Sequence, residues 1–207
     1  MVKSNKDGIK MESITDSTYW ETQYQNKNTG WDLGMISPAI TLYIDSLKDK
    51  NSAILIPGCG NTYEAEYLLA QGFTNITVID ISPTLVCSLI KKFSHNASIT
   101  VILGDYFEHD GVYDFIIEQT FFCALPPALR QKYAQKMNEL LTVDGILFGL
   151  LFNRQFDLGP PFGGSQKEYQ SIFKSKFDIL KMELCLYSVA PRAGSELFIE
   201  LKKLAFP

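Results

Sequence analysis

The sequence predicts an α/β domain built on a doubly wound, mostly parallel sheet, and three observations carry that prediction. Ala53-Ile54-Leu55-Ile56 is wholly apolar, too brief for a helix and unrelieved by polar residues, as a central strand covered on both faces requires. It runs into a glycine turn, Pro57-Gly58-Cys59-Gly60, then a helix-like stretch ending at Gln71-Gly72, then a second apolar run, Asn75 to Asp80. The alternation of strand and helix continues along the chain, the pattern that lays helices on both faces of one sheet.

The elements follow in order. Met1 to Thr15 is polar, lacks the apolar core of a secretory signal, and reads as a mobile tail. Ser17 to Lys27 predicts a short helix with Trp20 and Tyr24 on one face, broken at Asn28-Thr29-Gly30. Pro38, at home in a first turn, opens a helix to Lys48 that buries Ile40, Tyr43, Ile44 and Leu47. After the glycine turn, Asn61 and Glu64 have the spacing of a capping box, and Gly72 suits a left-handed helix end. Pro83 to Phe93 is a helix, Ser98 to Leu103 the third strand and Val112 to Glu118 the fourth. Ala128 to Leu141 is a helix and Gly145 to Phe152 the fifth strand. A loop, Gly159-Pro160-Pro161-Phe162-Gly163-Gly164, precedes a helix over Gln166 to Lys174. Two final strands, Phe177 to Tyr187 and Glu196 to Lys203, lie close enough to pair as an antiparallel edge. That makes seven strands in one domain spanning 1–207, without internal repeats.

Composition narrows the function. Apolar residues at 46% and charged residues at 20% are ordinary for a globular enzyme large enough to bury its own core. A net charge of −4 and the absence of a basic block argue against nucleic acid as a partner. No apolar run has membrane-spanning length, so the expected setting is the cytoplasm and the expected partner a small molecule, with a monomer or weak homodimer. The four cysteines, Cys59, Cys87, Cys123 and Cys185, form no C-x-x-C pair, so neither a disulfide framework nor a metal site is suggested.

Gly58, Asp80, Asp105 and Gln119 all fall at the carboxyl ends of predicted strands, where open α/β sheets form their ligand crevice. Gly58 and Gly60 let a ligand approach without a Cβ in the way, and Asp80 is placed for a ribose diol. The third glycine of a dinucleotide fingerprint is replaced by Tyr63, and no P-loop lysine follows. An adenosyl ligand without phosphates, such as S-adenosylmethionine, needs the bend and the acid but no pyrophosphate cradle.

The chain resembles the thiopurine methyltransferase superfamily of class I S-adenosylmethionine-dependent methyltransferases, nearest its thiol and halide methyltransferase branch. The resemblance rests on Trp31-Asp32-Leu33-Gly34 with Ser37-Pro38, Pro57-Gly58-Cys59-Gly60, Gly104-Asp105-Tyr106-Phe107, Thr120-Phe121-Phe122-Cys123-Ala124-Leu125 and Gly159-Pro160-Pro161-Phe162. It implies a Rossmann-like fold with an N-terminal helical lid. It implies S-adenosylmethionine as cofactor, left as S-adenosylhomocysteine. It also implies that Trp20, Tyr24 and Trp31 cover the cofactor, Asp80 holds its ribose, and Asp105 and Tyr106 hold its adenine. Family members usually carry tryptophan at the Tyr24 position, and many thiol and halide members an aromatic residue at the Gln119 position. The second departure bears on the substrate rather than the fold.

The implied reaction is in-line methyl transfer to a small thiol, sulfide or halide-like nucleophile. The alternatives are an aromatic or heterocyclic thiol as acceptor, or an adenosyl-binding protein without catalysis. His95 and His109 stand in no nucleophile-base arrangement, so proximity and desolvation are expected to drive the step. Gln119, Phe121, Phe122 and Phe162 are the expected pocket residues, and Gln119 is expected at the cofactor as well. Arg154 and Arg192 either meet an anionic substrate or pair at the surface. Asp32 either caps its turn or closes the lid, and His109 reads as a solvated turn. The Gly159 loop has the outline of the [N/D]-P-P-[Y/F/W] signature of amino-group methyltransferases. Its first residue is glycine and it follows the fifth strand, so it reads as a lid or substrate loop, or as plain turn chemistry.

Overall fold

A computed structural model describes residues 16–204; the segment expected to be a mobile tail, residues 1–15, lies outside the described residues. Helix α1 (Ser17–Gln25) and α2 (Pro38–Ser46) precede the sheet. Then come β1 (Ile54–Pro57), α3 (Tyr63–Ala70), β2 (Ile76–Asp80), α4 (Pro83–Lys92), β3 (Ile99–Leu103) and β4 (Tyr113–Gln119). The chain ends with α5 (Arg130–Leu140), β5 (Leu141–Phe152), α6 (Gln166–Phe173), β6 (Phe177–Leu184) and β7 (Glu196–Lys203). The seven strands form one sheet in the order β3-β2-β1-β4-β5-β7-β6. Strands β1 to β5 run parallel, and β7 runs antiparallel to both neighbours. The reversed strand is therefore inserted between β5 and β6, leaving β6 at the edge.

The apolar runs bury both ways, as alternation along a pleat dictates. Ile54, Ile56, Val78 and Ile117 face α2, α3 and α4 through Ile40, Ile44, Leu68 and Leu89. Leu55, Ile79, Ile116 and Leu147 face α5 and α6 through Tyr133, Met137, Ile172 and Phe173. Each fully buried side chain of this kind contributes about 1.5–3 kcal/mol. Strand β5 lies so close to β4 that a Cβ on Gly149 (φ 150°) would stand 1.9 Å from the Glu118 carbonyl oxygen.

Several ends differ from expectation for local reasons. Helix α1 stops at Gln25 because Lys27 turns left-handed at φ 55°. Helix α2 stops at Ser46, where Leu47 is already extended. Gln119 belongs to β4 rather than following it. Gly72 (φ 84°) ends α3 as expected, with the Phe73 N–H donating back to the Leu68 carbonyl. The capping box does not form: the N-cap is Thr62, itself left-handed (φ 51°, ψ 54°) and without a side-chain cap bond. Asn61 turns its amide to Asp32 instead, and Glu64 is buried.

Candidate functional site

Strand order reverses between β1 and β4, and there a cavity of about 840 Å³ opens at the carboxyl ends of β1 to β4, roofed by α1 and the segment after it. Its floor is the turn after β1, where Gly58 (φ 54°), Gly60 (φ 51°) and Thr62 (φ 51°) are all left-handed. A Cβ on Gly58 would fall 2.1 Å from the Phe121 ring, so glycine is required there by both backbone and neighbour.

Asp80 ends β2 at 7% exposure; its Oδ2 accepts from the Gly60 N–H (3.2 Å) and its Oδ1 from the Ser82 N–H (3.0 Å). Burial pushes its pKa up, and these amides pull it back. Asp105 follows β3, exposed at the cavity, its Oδ1 accepting from the Phe107 N–H at 2.8 Å. Tyr106 lines the cavity with its ring, because its hydroxyl turns away to donate to the Tyr133 carbonyl at 3.4 Å. Gln119 ends β4, and its buried Oε1 has no hydrogen-bond partner. The buried Thr62 hydroxyl, in the turn after β1, has none either. A floor without Cβ atoms at Gly58 and Gly60, and two unpaired polar atoms, furnish the cavity for a polar ligand.

The roof is aromatic. Trp31 meets Trp20 and Tyr24 edge-on, with centroids 5.3 and 5.8 Å apart, and the Tyr24 hydroxyl stands over Gly60. Three polar contacts hold it down. The Glu21 carboxylate accepts from Ser82 Oγ (2.7 Å), Thr84 N–H (3.0 Å) and Thr84 Oγ1 (2.5 Å) at the start of α4; these hydrogen bonds, Ser82 first, lower its pKa to about 2. Asp32 does both things its sequence allowed. Its Oδ1 accepts from Gly34 N–H (2.7 Å), while its Oδ2 accepts from Asn61 and, at 3.3 Å, from Tyr63. Arg192 donates to the Trp31 carbonyl at 2.9 Å and pairs with buried Glu196, which removes it from the surface. Arg154 is exposed at the cavity with its guanidinium over Phe156.

The expected pocket residues divide. Gln119 and Phe121 line the cavity; Phe122 does not, because its ring is 1% exposed and packed among Tyr133, Tyr169 and Phe173. Phe162 does not line it either, since its ring folds back over Gly159 and leaves Pro160 and Pro161 to form the wall. The Gly159 loop is thus part of the site rather than a plain turn. His109 is no solvated turn: half-buried, it bonds the Tyr113 hydroxyl at 2.7 Å, and burial lowers its pKa.

Sequence reasoning missed the groups that brace the site from behind. Glu118 is fully buried in β4; its Oε1 accepts from the Phe121 (2.8 Å) and Phe122 (2.9 Å) N–H groups and its Oε2 from the Tyr133 hydroxyl. It thereby fixes the left-handed turn at Thr120 (φ 62°) that aims Phe121. Burial pushes its pKa up to about 7 against those three donors. Arg130, 3% exposed, ties the Gly159 loop to α6 by pairing with Glu168 and donating to the Gly163 carbonyl at 2.8 Å. The visible signal for Glu118 was a carboxylate in the otherwise apolar run Phe115-Ile116-Ile117.

Known proteins are similar to this one in fold or in sequence. The structure is similar to Burkholderia thailandensis 1,6-didemethyltoxoflavin-N1-methyltransferase with bound S-adenosylhomocysteine, at TM-score 0.74 and 16% identity, covering 99% of this chain and 94% of that one. It is also similar to magnesium protoporphyrin IX methyltransferase from Synechocystis with bound S-adenosylmethionine, at TM-score 0.73 and 13% identity, covering 97% and 100%. In sequence, a probable thiol methyltransferase 2 of Arabidopsis thaliana is 32% identical over 201 residues, 94% of this chain and 88% of the relative. A thiopurine S-methyltransferase of Acinetobacter baylyi is 26% identical over 204 residues, 86% of this chain and 92% of the relative. The family model described as Thiopurine S-methyltransferase (TPMT) matches residues 15–196. The chain is therefore an S-adenosylmethionine-dependent methyltransferase and belongs to the thiopurine S-methyltransferase family.

Proposed function

We propose that this enzyme methylates the sulfur of a thiol or hydrosulfide, or a comparably soft anion. One observation carries the reading: away from the glycine turn the wall is mostly aromatic, with Arg154 and Arg192 as its cations and no histidine to serve as base. Trp20, Trp31, Phe121, Phe152, Phe156 and Pro160 line the cavity, and no histidine does. Burial pushes the Cys123 thiol and the Tyr24 hydroxyl up, away from any role as base. Glu118, though poised near neutrality, has both oxygens engaged and lies behind the wall. A nucleophile that enters must bring its own electron pair, as a thiolate or hydrosulfide does.

When bound, the cofactor supplies an activated methyl on a sulfonium sulfur. We assign its ribose to Asp80, its adenine to Asp105 and the Tyr106 ring, and its cover to Trp20, Tyr24 and Trp31, with Gly58 and Gly60 beneath it. We assign Gln119 and Phe121, which line the cavity, to the acceptor side. The aromatic wall excludes water from the anion, and holding the two reactants in near-attack geometry supplies roughly 7–11 kcal/mol of the barrier. The thiol methyltransferase among the relatives supports sulfur as the receiving atom.

An assay for S-adenosylhomocysteine formation across hydrosulfide, alkyl thiols, thiocyanate, iodide and aromatic thiols tests the proposal. Turnover with a sulfur or halide nucleophile is expected; turnover with amines or alcohols alone would overturn it. A second reading, an aromatic or heterocyclic thiol as the preferred acceptor, is favoured by a cavity of about 840 Å³, ample for both a cofactor and a ring. Competition between hydrosulfide and thiophenol separates the two by the ratio of kcat/KM.

A further inference from the structure

Neither Glu118 nor Tyr133 lines the cavity, yet both are joined to two rings that do, Phe121 and Tyr106. Tyr133, on α5 and fully buried, donates its hydroxyl to Glu118 Oε2. Glu118 Oε1 in turn accepts from the Phe121 and Phe122 N–H groups at 2.8 and 2.9 Å. The Phe121 ring meets the Tyr106 ring edge-on at 5.2 Å and the Tyr133 ring at 6.1 Å. Tyr106 closes the loop: its ring stands 6.0 Å from that of Tyr133, and its hydroxyl donates to the Tyr133 carbonyl at 3.4 Å. The contacts therefore form a circuit that starts behind the wall and returns there through it.

The circuit restrains a turn that would not hold itself. Thr120 is β-branched and left-handed at φ 62°, a conformation such a residue keeps only where its surroundings impose it. That turn lays the Phe121 ring against Gly58, where a Cβ would fall 2.1 Å from it. Three donors converge on the one side chain beneath the turn. A carboxylate accepts from all three at once, whereas an amide would turn its own N–H groups toward at least one of them.

We infer that Glu118 and Tyr133 are positioning residues for methyl transfer, and that they act through the Phe121 ring. The inference deepens the acceptor reading, since it rests on the assignment of Phe121 to the acceptor side. Removing the Tyr133 hydroxyl changes no cavity-lining side chain, but it frees the Glu118 carboxylate and with it the turn that aims the ring. A ring that no longer keeps its place loosens the near-attack geometry of the acceptor and leaves the glycine turn and Asp80 as they were.

A double-mutant cycle isolates that action. With S-adenosylmethionine and thiophenol as the reactants, Y133F is expected to lower kcat/KM for thiophenol about 10-fold and to change S-adenosylhomocysteine affinity by less than about 2-fold. In an F121A background there is no ring to place, so adding Y133F should cost less than about 2-fold. Equal losses in the two backgrounds would overturn the inference, because a hydroxyl that only stabilises the fold acts whether or not the ring is present.

A second measurement needs no acceptor. In protein labelled with 4-fluorophenylalanine, the fluorine resonance of Phe121 is identified by its absence from F121L. It is expected to shift or broaden in Y133F, and further in E118A, which removes the acceptor of the Phe121 N–H. An unmoved resonance in Y133F would overturn the inference whether or not E118A folds. A wild-type protein that does not turn over thiophenol counts against an aromatic thiol as acceptor, and the fluorine resonance then decides the positioning role alone.

Discussion

The two halves of the cavity are built by different means. The floor of the half assigned to the cofactor comes from one short stretch, Ile54 to Asp80, whose strand, glycine turn and second strand place Gly58, Gly60 and Asp80. The half assigned to the acceptor is assembled from distant pieces. Phe121 is aimed by Glu118, and the loop that carries Pro160 and Pro161 is held through the Gly163 carbonyl by Arg130. Chemistry common to a whole family can be encoded locally, whereas the half that chooses an acceptor depends on contacts between elements, where single substitutions change the wall without touching the turn.

The sharpest way to break this contrast is at Glu118, behind the acceptor half. Its folded pKa, about 7, lies above its ordinary value of 4.5. Its stability contribution is therefore fully present below about pH 4.5 and lost as pH rises through 7. A Glu118→Gln protein keeps acceptors for the two backbone N–H groups and does not titrate. Relative to it, the wild type is expected to lose up to about 3 kcal/mol of stability between pH 5 and 9, read from urea midpoints. Parallel stability curves for the two proteins would mean that the carboxyl is already ionised at low pH.

A smaller effect is expected in the cofactor half. Gly58→Ala forces a Cβ into a left-handed residue and against the Phe121 ring, a combined cost of about 1–3 kcal/mol. S-adenosylhomocysteine affinity should fall about 10- to 100-fold while urea stability changes less, because the displaced ring and turn face the cavity. Unchanged affinity would show that the two halves meet less tightly at Gly58 than the 2.1 Å approach implies.

The smallest effect belongs to the roof. Glu21→Gln keeps the shape but loses the charge-assisted bonds to Ser82 and Thr84, and cofactor dissociation is expected to quicken a few-fold in stopped-flow traces. Because the Glu21 pKa is lowered to about 2, its contribution is present above pH 4.5 and lost only as pH falls toward 2. The dissociation rate of the wild type should therefore not respond to Glu21 between pH 5 and 8.

The same division explains what could be read from the chain. Strands β1 and β2 and the glycine turn were legible because apolar runs and glycines report burial and backbone conformation directly. Glu64 was misread for a local reason: three-residue spacing from Asn61 fits a capping box, but the helix starts one residue later, at a left-handed Thr62. Glu118 and Arg130 could not be recognised because their meaning lies with Tyr133 and with Glu168, which sequence spacing does not bring together. Phe122 and Phe162 share a composition with Phe121, and only packing decides which ring sees the cavity.

The carboxylate that completes the first turn of α4 is carried by α1, so the entrance cannot swing away without stripping the Thr84 amide of its acceptor. Deuterium uptake at that single amide would therefore report any opening of the roof from within a neighbouring helix.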